Sequence, residues 1–193
     1  MYLPRQMSAI VCPGMHAPEL TQCFLEELQL VSNLQASQSG NILIFPAQDA
    51  AVLSAFHILQ FLREHLNSPQ ETSKLVFISF SAGVVGAIGA AWMWQLLGGQ
   101  VKAFIALDGW AVPLFGNFPI YRLSHDFFTH WSSSLLGSGE DSFYAEPPVE
   151  HLELWRSPQT VHGWWVHSAR TQPPTPLTAA EFLTMLLKRH GES

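Results

Sequence analysis

A serine surrounded by small residues is the strongest candidate nucleophile in this chain. Ser81 follows the apolar, β-branched run Leu75–Ile78 and precedes Ala82, Gly83 and a segment rich in alanine, methionine and leucine. The run predicts a buried strand and the later segment predicts a helix, so Ser81 lies at a sharp turn between them. At such a turn the next backbone N–H and the helix dipole can stabilise an oxyanion. The pattern therefore indicates covalent catalysis by a serine.

Such a nucleophile needs a histidine base within hydrogen-bond reach and a carboxylate that orients the base. The carboxylate candidates are Asp108, which ends a predicted strand, and Asp126, which follows the next predicted strand. The histidine candidates are His151 and His162. From the residue types alone, both choices stay open.

An alternating series of strands and helices is predicted to bring these side chains together. Strands are predicted at Met7–Cys12, Ile42–Phe45, Leu75–Ile78 and Val101–Leu107, and helices at Pro18–Asn33, after a cap at Asp49, and after Ser81. This alternation predicts a three-layer, doubly wound α/β architecture with a mostly parallel sheet. Ligands bind beyond the carboxyl ends of the strands in such sheets. Ser81, Asp108 and the Pro13–Pro18 loop are therefore expected at one edge.

Beyond Asp108 the pattern is less regular. We predict a strand at Pro119–Ser124, a helix at Phe127–Leu136, a last strand within Phe143–Trp155 and a helix at Leu177–His190 with Thr178 as its cap. Gly109–Phe118 is expected to form an irregular apolar loop, and Arg170–Pro176 a proline-rich connection.

The turn at Ser81 resembles the nucleophile elbow of the α/β-hydrolases, with the pattern G-x-S-x-G, although Ser79 replaces the first glycine. Two further segments are similar to bacterial lipases. His125–Gly137 resembles the segment around their catalytic acid, and Val149–Leu154 resembles their histidine segment. The resemblance covers most of the chain as architecture and these three segments as motif. It implies a minimal α/β-hydrolase fold without a large lid, in a single domain over residues 1–193.

The resemblance also implies roles. The superfamily order along the chain is serine, acid, histidine. Ser81 would be the nucleophile, Asp126 the acid and His151 the base. Asp108 remains the alternative acid. The alternative base is His162, whose His-Gly-aromatic sequence resembles the ending of many other α/β-hydrolases.

The oxyanion hole and the substrate pocket can be assigned in the same way. By the resemblance, the backbone N–H groups of Met15 and Ala82 would form the hole. The apolar loop that begins at Trp110 would hang over the strand edge, and with Trp131 and His16 it would line a pocket for an acyl or aromatic group.

Composition limits the classes of partner. The net charge is −6 and no basic cluster occurs, so nucleic acid is not expected. The N-terminus has no signal-peptide pattern and no apolar run reaches membrane-spanning length, so we expect a cytoplasmic protein. The histidines lack metal-site spacing, and neither a metal nor another cofactor is expected. Cys12 and Cys23 are expected to be buried, reduced thiols.

These observations predict a serine hydrolase that acts on a hydrophobic carboxylic ester or thioester through an acyl-enzyme intermediate. The alternative is a catalytically silent α/β-hydrolase-like protein that serves as a binding module or scaffold. The altered elbow at Ser79 and the Pro13-Gly14 sequence in the oxyanion loop support that alternative. A histidine close to Ser81 would favour the enzyme.

Overall fold

The computed structural model describes residues 8–32, 41–46, 49–66, 68–70, 74–137, 139–169 and 172–191. In the first half, strands and helices alternate as β1 Ser8–Cys12, α1 Pro18–Ser32, β2 Asn41–Ile44, α2 Ala55–His65, β3 Leu75–Phe80, α3 Gly83–Leu96 and β4 Val101–Leu107. The second half comprises β5 Ile120–Ser124, α4 Phe127–Ser134, β6 Ser142–Ala145, α5 His151–Arg156, β7 His162–Val166, β8 Thr175–Thr178 and α6 Ala179–Gly191.

The strands form one eight-stranded sheet in the order β2-β1-β3-β4-β5-β6-β7-β8. Neighbouring strands are parallel from β2 to β6, and β7 and β8 continue the sheet in antiparallel pairing. The predicted mostly parallel sheet is therefore confirmed. Strand β3, which ends next to Ser81, lies between β1 and β4 in the interior of the sheet.

Two apolar layers cover the two faces of this sheet. On one face, Phe24 of α1, Trp155 of α5 and Phe182 of α6 pack against the strands. On the other face, Ile58 of α2 and Trp94 of α3 belong to a second buried cluster. Each β3 residue is buried, because alternate side chains enter the two clusters. The result is the predicted three-layer arrangement.

The start of α2 differs from the prediction. Residues Asp49–Leu53 form a 3₁₀ helix, and α2 is capped by Ser54, whose Oγ accepts a hydrogen bond from the His57 backbone N–H at 3.4 Å. The 3₁₀ segment packs directly on α3, where a Cβ at Gly86 would lie 2.3 Å from the Val52 carbonyl oxygen. Met7 and Asn33, at two other predicted boundaries, lie outside the described residues.

The second half departs further from the predictions. Helix α4 ends at Ser134 rather than Leu136, and the strand expected within Phe143–Trp155 is β6, which ends before the two prolines. Strands β7 and β8 were not predicted, and β8 occupies part of the expected proline-rich connection.

The cap of the last helix is confirmed. Thr178 Oγ1 accepts a hydrogen bond from the Glu181 N–H at 3.2 Å, and Glu181 Oε2 accepts one from the Thr178 N–H at 2.8 Å. This reciprocal pair is a capping box, which satisfies two backbone donors at the helix start.

The two cysteines have different environments, and both are free thiols. Cys12 is buried in β1, and its burial raises the pKa of the thiol above its usual range. Cys23 is exposed on α1, so the expectation that both thiols are buried is wrong for Cys23. Among the described helices, none combines the length and the apolar character needed to cross a membrane.

Candidate active site

The chain turns sharply at Ser81, between the end of β3 and the start of α3. Ser81 has a φ of +52°, in the left-handed region that non-glycine residues rarely adopt. Its N–H donates to the Leu107 carbonyl at 2.9 Å, and its carbonyl accepts from the Val84 N–H at 3.1 Å. These bonds hold the turn on the neighbouring strand β4 and on the first turn of α3. The side chain is thereby fixed at the carboxyl edge of the sheet.

Two glycines allow the first loop to lie against this turn. A Cβ at Gly14 would be 2.9 Å from Ser81 Cβ, and a Cβ at Gly83 would be 2.3 Å from the Pro13 carbonyl oxygen. Neither position has room for a side chain. The loop after β1 and the N-terminus of α3 are therefore in direct contact beside Ser81.

A histidine and a carboxylate continue from the serine in a hydrogen-bonded row. His151, the first residue of α5, has its Nε2 at 2.9 Å from Ser81 Oγ and its Nδ1 at 2.9 Å from Asp108 Oδ2. Asp108 directly follows β4, and its side chain is only 1% exposed. With the proton on Nδ1, the imidazole donates to the carboxylate, and its Nε2 can accept the serine proton.

Asp126, the carboxylate favoured by the lipase-like segment, has a different set of contacts. Its Oδ1 accepts a hydrogen bond from the Thr129 N–H at 2.6 Å, which makes it the N-cap of α4. Burial alone would raise the pKa of Asp126, but the Thr129 hydrogen bonds and the charge of His125 bring it below its usual value. Of the two acid candidates, the one in contact with His151 is Asp108.

His162, the alternative base, begins strand β7 and is exposed. Two strands, β5 and β6, separate β7 from β4 in the sheet order. His151 is thus the candidate base that lies within hydrogen-bond distance of Ser81.

A second histidine, His125, also contacts Asp108. Its Nδ1 lies 2.9 Å from Asp108 Oδ2, and its backbone N–H donates to Oδ1 at 2.9 Å. The hydrogen bond to Asp108 is the main cause that raises the pKa of His125, against the opposing effect of burial. This contact of His125 with the Asp108 carboxylate was not predicted from the sequence. The position of His125 directly after β5, the neighbour of β4, is the signal that could have found it.

The three groups Asp108, His125 and His151 carry donor atoms within 4.8 Å of one another. Their N···O contacts of 2.9 Å have the length of hydrogen bonds in which each Nδ1 carries a proton. A protonated ring nitrogen has no lone pair for a metal ion.

Comparison with known proteins gives the fold. No protein-family model matches the chain, and a search of curated proteins finds no match. YbtT, a type II thioesterase from the yersiniabactin NRPS/PKS biosynthetic pathway, is a similar solved structure with 12% identity and a TM-score of 0.53. The likeness covers 98% of this chain and 94% of that one. The chain has the α/β-hydrolase fold.

A second similar structure is the RedJ thioesterase from the prodiginine biosynthetic pathway in Streptomyces coelicolor, with 14% identity and a TM-score of 0.40. The likeness covers 57% of this chain and 42% of that one, so the chain matches less than half of RedJ.

Within this α/β-hydrolase fold, the elbow and the first loop present two free backbone donors. In the part of the chain that the structure describes, the N–H groups of Met15 and Ala82 have no hydrogen-bond partner. Ala82 directly follows Ser81, and Met15 follows the glycine that packs on the Ser81 side chain. Neither donor is thus occupied by another group of the described chain.

A pocket of about 530 Å³ opens above Ser81. Its walls combine the polar groups of the site with apolar side chains from α3, the loop after β4 and α4, namely Val85, Trp110, Val112 and Phe128. Trp110 is held by a hydrogen bond from its Nε1 to Ser132 Oγ at 3.1 Å. Trp110 thus lies on the wall of this pocket.

The other two expected pocket residues lie elsewhere. Trp131 is an exposed residue of α4 beside Phe128, outside the pocket wall. The His16 ring packs against the rings of Phe80 and Trp155 instead.

A column of stacked rings supports His151 from below. The imidazole stacks on Phe80 with ring centroids 4.7 Å apart, Phe80 stacks on Trp155 at 4.9 Å, and Trp155 stacks on Phe24 at 3.7 Å. Trp155 is fully buried and lies one helical turn after His151 on α5. Helix α5 is thus anchored in the core next to the imidazole that it carries.

Proposed function

We propose that this protein is a serine hydrolase that cleaves carboxylic esters or thioesters through an acyl-enzyme intermediate. The observation that supports it is the row of two 2.9 Å hydrogen bonds from Ser81 Oγ through His151 to Asp108. In this proposal Asp108 takes the role of the acid, in place of Asp126.

In the acylation step, Ser81 Oγ attacks the substrate carbonyl while His151 Nε2 takes its proton. Asp108 keeps the other ring nitrogen protonated and stabilises the imidazolium that forms. The tetrahedral oxyanion accepts hydrogen bonds from the backbone N–H groups of Ala82 and Met15. The intermediate collapses when the bond to the leaving alcohol or thiol breaks and His151 returns the proton to it.

In the deacylation step, water takes the place of the leaving group. His151 Nε2 removes a proton from the water as it attacks the acyl carbon, and the second tetrahedral oxyanion occupies the same pair of donors. Breakage of the bond to Ser81 Oγ, which takes the proton back from His151 Nε2, releases the carboxylic acid and regenerates the hydroxyl and the free base.

The proposed substrate is a small molecule with a hydrophobic acyl group. Trp110, Val112 and Phe128 offer apolar surface on the pocket wall above the nucleophile. Such surface favours alkyl or aromatic acyl groups over charged ones. The description of YbtT as a type II thioesterase supports the inclusion of thioesters among the candidate substrates.

Labelling with a fluorophosphonate probe tests the proposal. We expect the native protein to react covalently and Ser81→Ala to remain unlabelled, with the same far-UV circular dichroism spectrum. Absence of labelling in the folded native protein would contradict the proposal and favour the silent binding module or scaffold.

The same assay tests the base. His151→Asn is expected to lose about 10³-fold to 10⁴-fold in labelling rate, because the variant side chain cannot take the serine proton. His162→Asn serves as the matched control and should label like the native protein. The opposite pattern would assign the base to His162.

A further inference from the structure

Two histidines from different elements donate to a single carboxylate oxygen in this site. Nδ1 of His151 and Nδ1 of His125 each lie 2.9 Å from Asp108 Oδ2. The two imidazole rings meet edge to face with centroids 5.9 Å apart. The Ser81–His151–Asp108 row alone leaves the second histidine without a role.

The contacts of His125 fix the orientation of the acid. Its backbone N–H binds Oδ1 of Asp108 and its ring binds Oδ2, so one residue holds both carboxylate oxygens. Asp108 itself has a φ of +50°, a strained conformation for an aspartate, and its side chain is almost fully buried. A buried carboxylate in such a backbone needs fixed donors, and His125 supplies two of the three.

We propose that His125 is a positioning residue of this site, which aims the Asp108 carboxylate and competes with His151 for its negative charge. This inference rests on the proposed function, since it concerns the same base and acid.

The charged groups around His125 come from several elements. Asp108 faces it from the end of β4, and Glu150 and His151 face it from the start of α5, while Asp126 adjoins it in the chain. The Asp108 hydrogen bond raises the pKa of His125, burial opposes this, and the charges of Asp108, Asp126 and Glu150 add to the rise. As the pH falls, His125 therefore becomes a cation beside His151.

Coulomb's law sets the size of the effect on His151. The two imidazole rings are 5.9 Å apart. At this distance, a positive charge on one ring lowers the pKa of the other ring by about half a unit in a water-like environment. In an environment of lower dielectric constant, the same repulsion lowers that pKa by about two units. Loss of the His125 charge should raise the pKa of His151 by a shift in that range.

Two variants separate the charge of His125 from its hydrogen bond. His125→Asn keeps an N–H donor that can reach Asp108 but never carries a charge, and His125→Ala removes both. Histidine titration by NMR should show the pKa of His151 raised by about 0.5 to 2 units in each variant. The exposed His57→Asn on α2 is the control and should leave the His151 titration unchanged.

The pH dependence of kcat/KM for a p-nitrophenyl ester supplies the second measurement. We expect the acidic limb to move to higher pH in both His125 variants. On the high-pH plateau, His125→Ala should lose about tenfold or more in kcat because the acid is no longer aimed. His125→Asn should lose less, because it keeps one N–H donor to Asp108. If His125 had only a structural role, its variants would have lower activity, but the acidic limb of the kcat/KM profile would stay at the native pH.

The outcomes distinguish this inference from the proposed function. If His151 titrates at the native pH in His125→Asn, the role of His125 is overturned, whatever the activity. If the His151 titration moves but the fluorophosphonate probe never reacts with the native protein, the serine hydrolase proposal fails while the coupling of the two histidines stands. Should His125→Ala fail to fold, His125→Asn alone decides the question.

Discussion

Ser81 and Asp108 share an unusual local geometry, which presents both side chains above the sheet. Each residue directly follows one of two adjacent parallel strands, and their φ angles are +52° and +50°. Conformations of this kind cost about 1–3 kcal/mol each and persist where the surroundings impose them. The hydrogen bond from the Ser81 N–H to the Leu107 carbonyl and the bonds from His125 to Asp108 supply that constraint.

The identity of the acid can be tested with two isosteric substitutions. Asp108→Asn should lower kcat/KM for an ester by about 10³-fold to 10⁴-fold, because an amide neither holds the His151 tautomer nor stabilises the imidazolium. Asp126→Asn is the matched control, since an asparagine oxygen can still accept the Thr129 N–H and cap α4. It should stay within a few fold of native. A large loss in Asp126→Asn alone would return the role to Asp126.

The candidate site could be predicted from the sequence only in part. Ser81 was found because the strand, the small residues and the helix that define its turn are contiguous. The acid was ambiguous, because Asp108 and Asp126 both follow predicted strands. Whether such a carboxylate contacts a histidine or caps a helix depends on which of the two nearby donors, the imidazole or a backbone N–H at the helix start, it binds. At Asp126 the Thr129 N–H is three residues away and takes the oxygen.

At the scale of elements, the first loop and the start of α3 form one packed unit around Ser81. Gly14→Ala should therefore lower the labelling rate by about tenfold or more, because the new Cβ would lie 2.9 Å from Ser81 Cβ and 3.3 Å from the Phe80 ring. Displacement of the loop would also move the Met15 N–H. The measurement is the fluorophosphonate labelling rate together with the free energy of unfolding.

Gly89→Ala provides a control for the loss of stability in that experiment. Its Cβ would lie 2.7 Å from Ala55 Cβ at the contact between α2 and α3, where overpacking costs about 1–3 kcal/mol. Its labelling rate should match the native rate at a temperature where the variant is folded. Equal labelling by Gly14→Ala and the native protein would contradict the assignment of this loop to the site.

The elements of the first half followed from the sequence because strongly apolar strands alternate there with helices. Strands β7 and β8 were missed because neither is a continuous apolar run, and each carries a residue that disfavours strands. Gly163 lies in β7 and Pro176 in β8. Proline is tolerated near a sheet edge, and β8 is the last strand in the sheet order. Antiparallel pairing of β7 with β6 and of β8 with β7, rather than intrinsic preference, accounts for these strands.

For the molecule as a whole, the site is assembled from both halves of the chain. Parallel neighbours β3, β4 and β5 end in the segments that carry Ser81, Asp108 and His125. Helix α5 then brings His151 to Ser81 across a separation of 70 residues. The local resemblance of Val149–Leu154 to the lipase histidine segment indicated His151, whereas the contact itself depends on the sheet order and on the burial of Trp155.

The pocket, formed between several elements, leads to a prediction about acyl specificity. Trp110→Ala should lower kcat/KM for a long-chain p-nitrophenyl ester by about tenfold or more, and for the acetate by much less, because the apolar wall contacts only the longer acyl group. Trp131→Ala removes an exposed ring outside the pocket and is the matched control. An equal loss for all chain lengths would contradict binding of the acyl group at Trp110.

The unequal environments of the two thiols provide a ready attachment point for a reporter. Cys12 is enclosed in the sheet and Cys23 is the exposed one, so a maleimide dye will couple to a single position without mutagenesis. The neighbouring residue in α1, Phe24, is the far end of the ring column that reaches His151. A dye at Cys23 therefore lies beside that column in the native sequence, with every proposed site residue left intact.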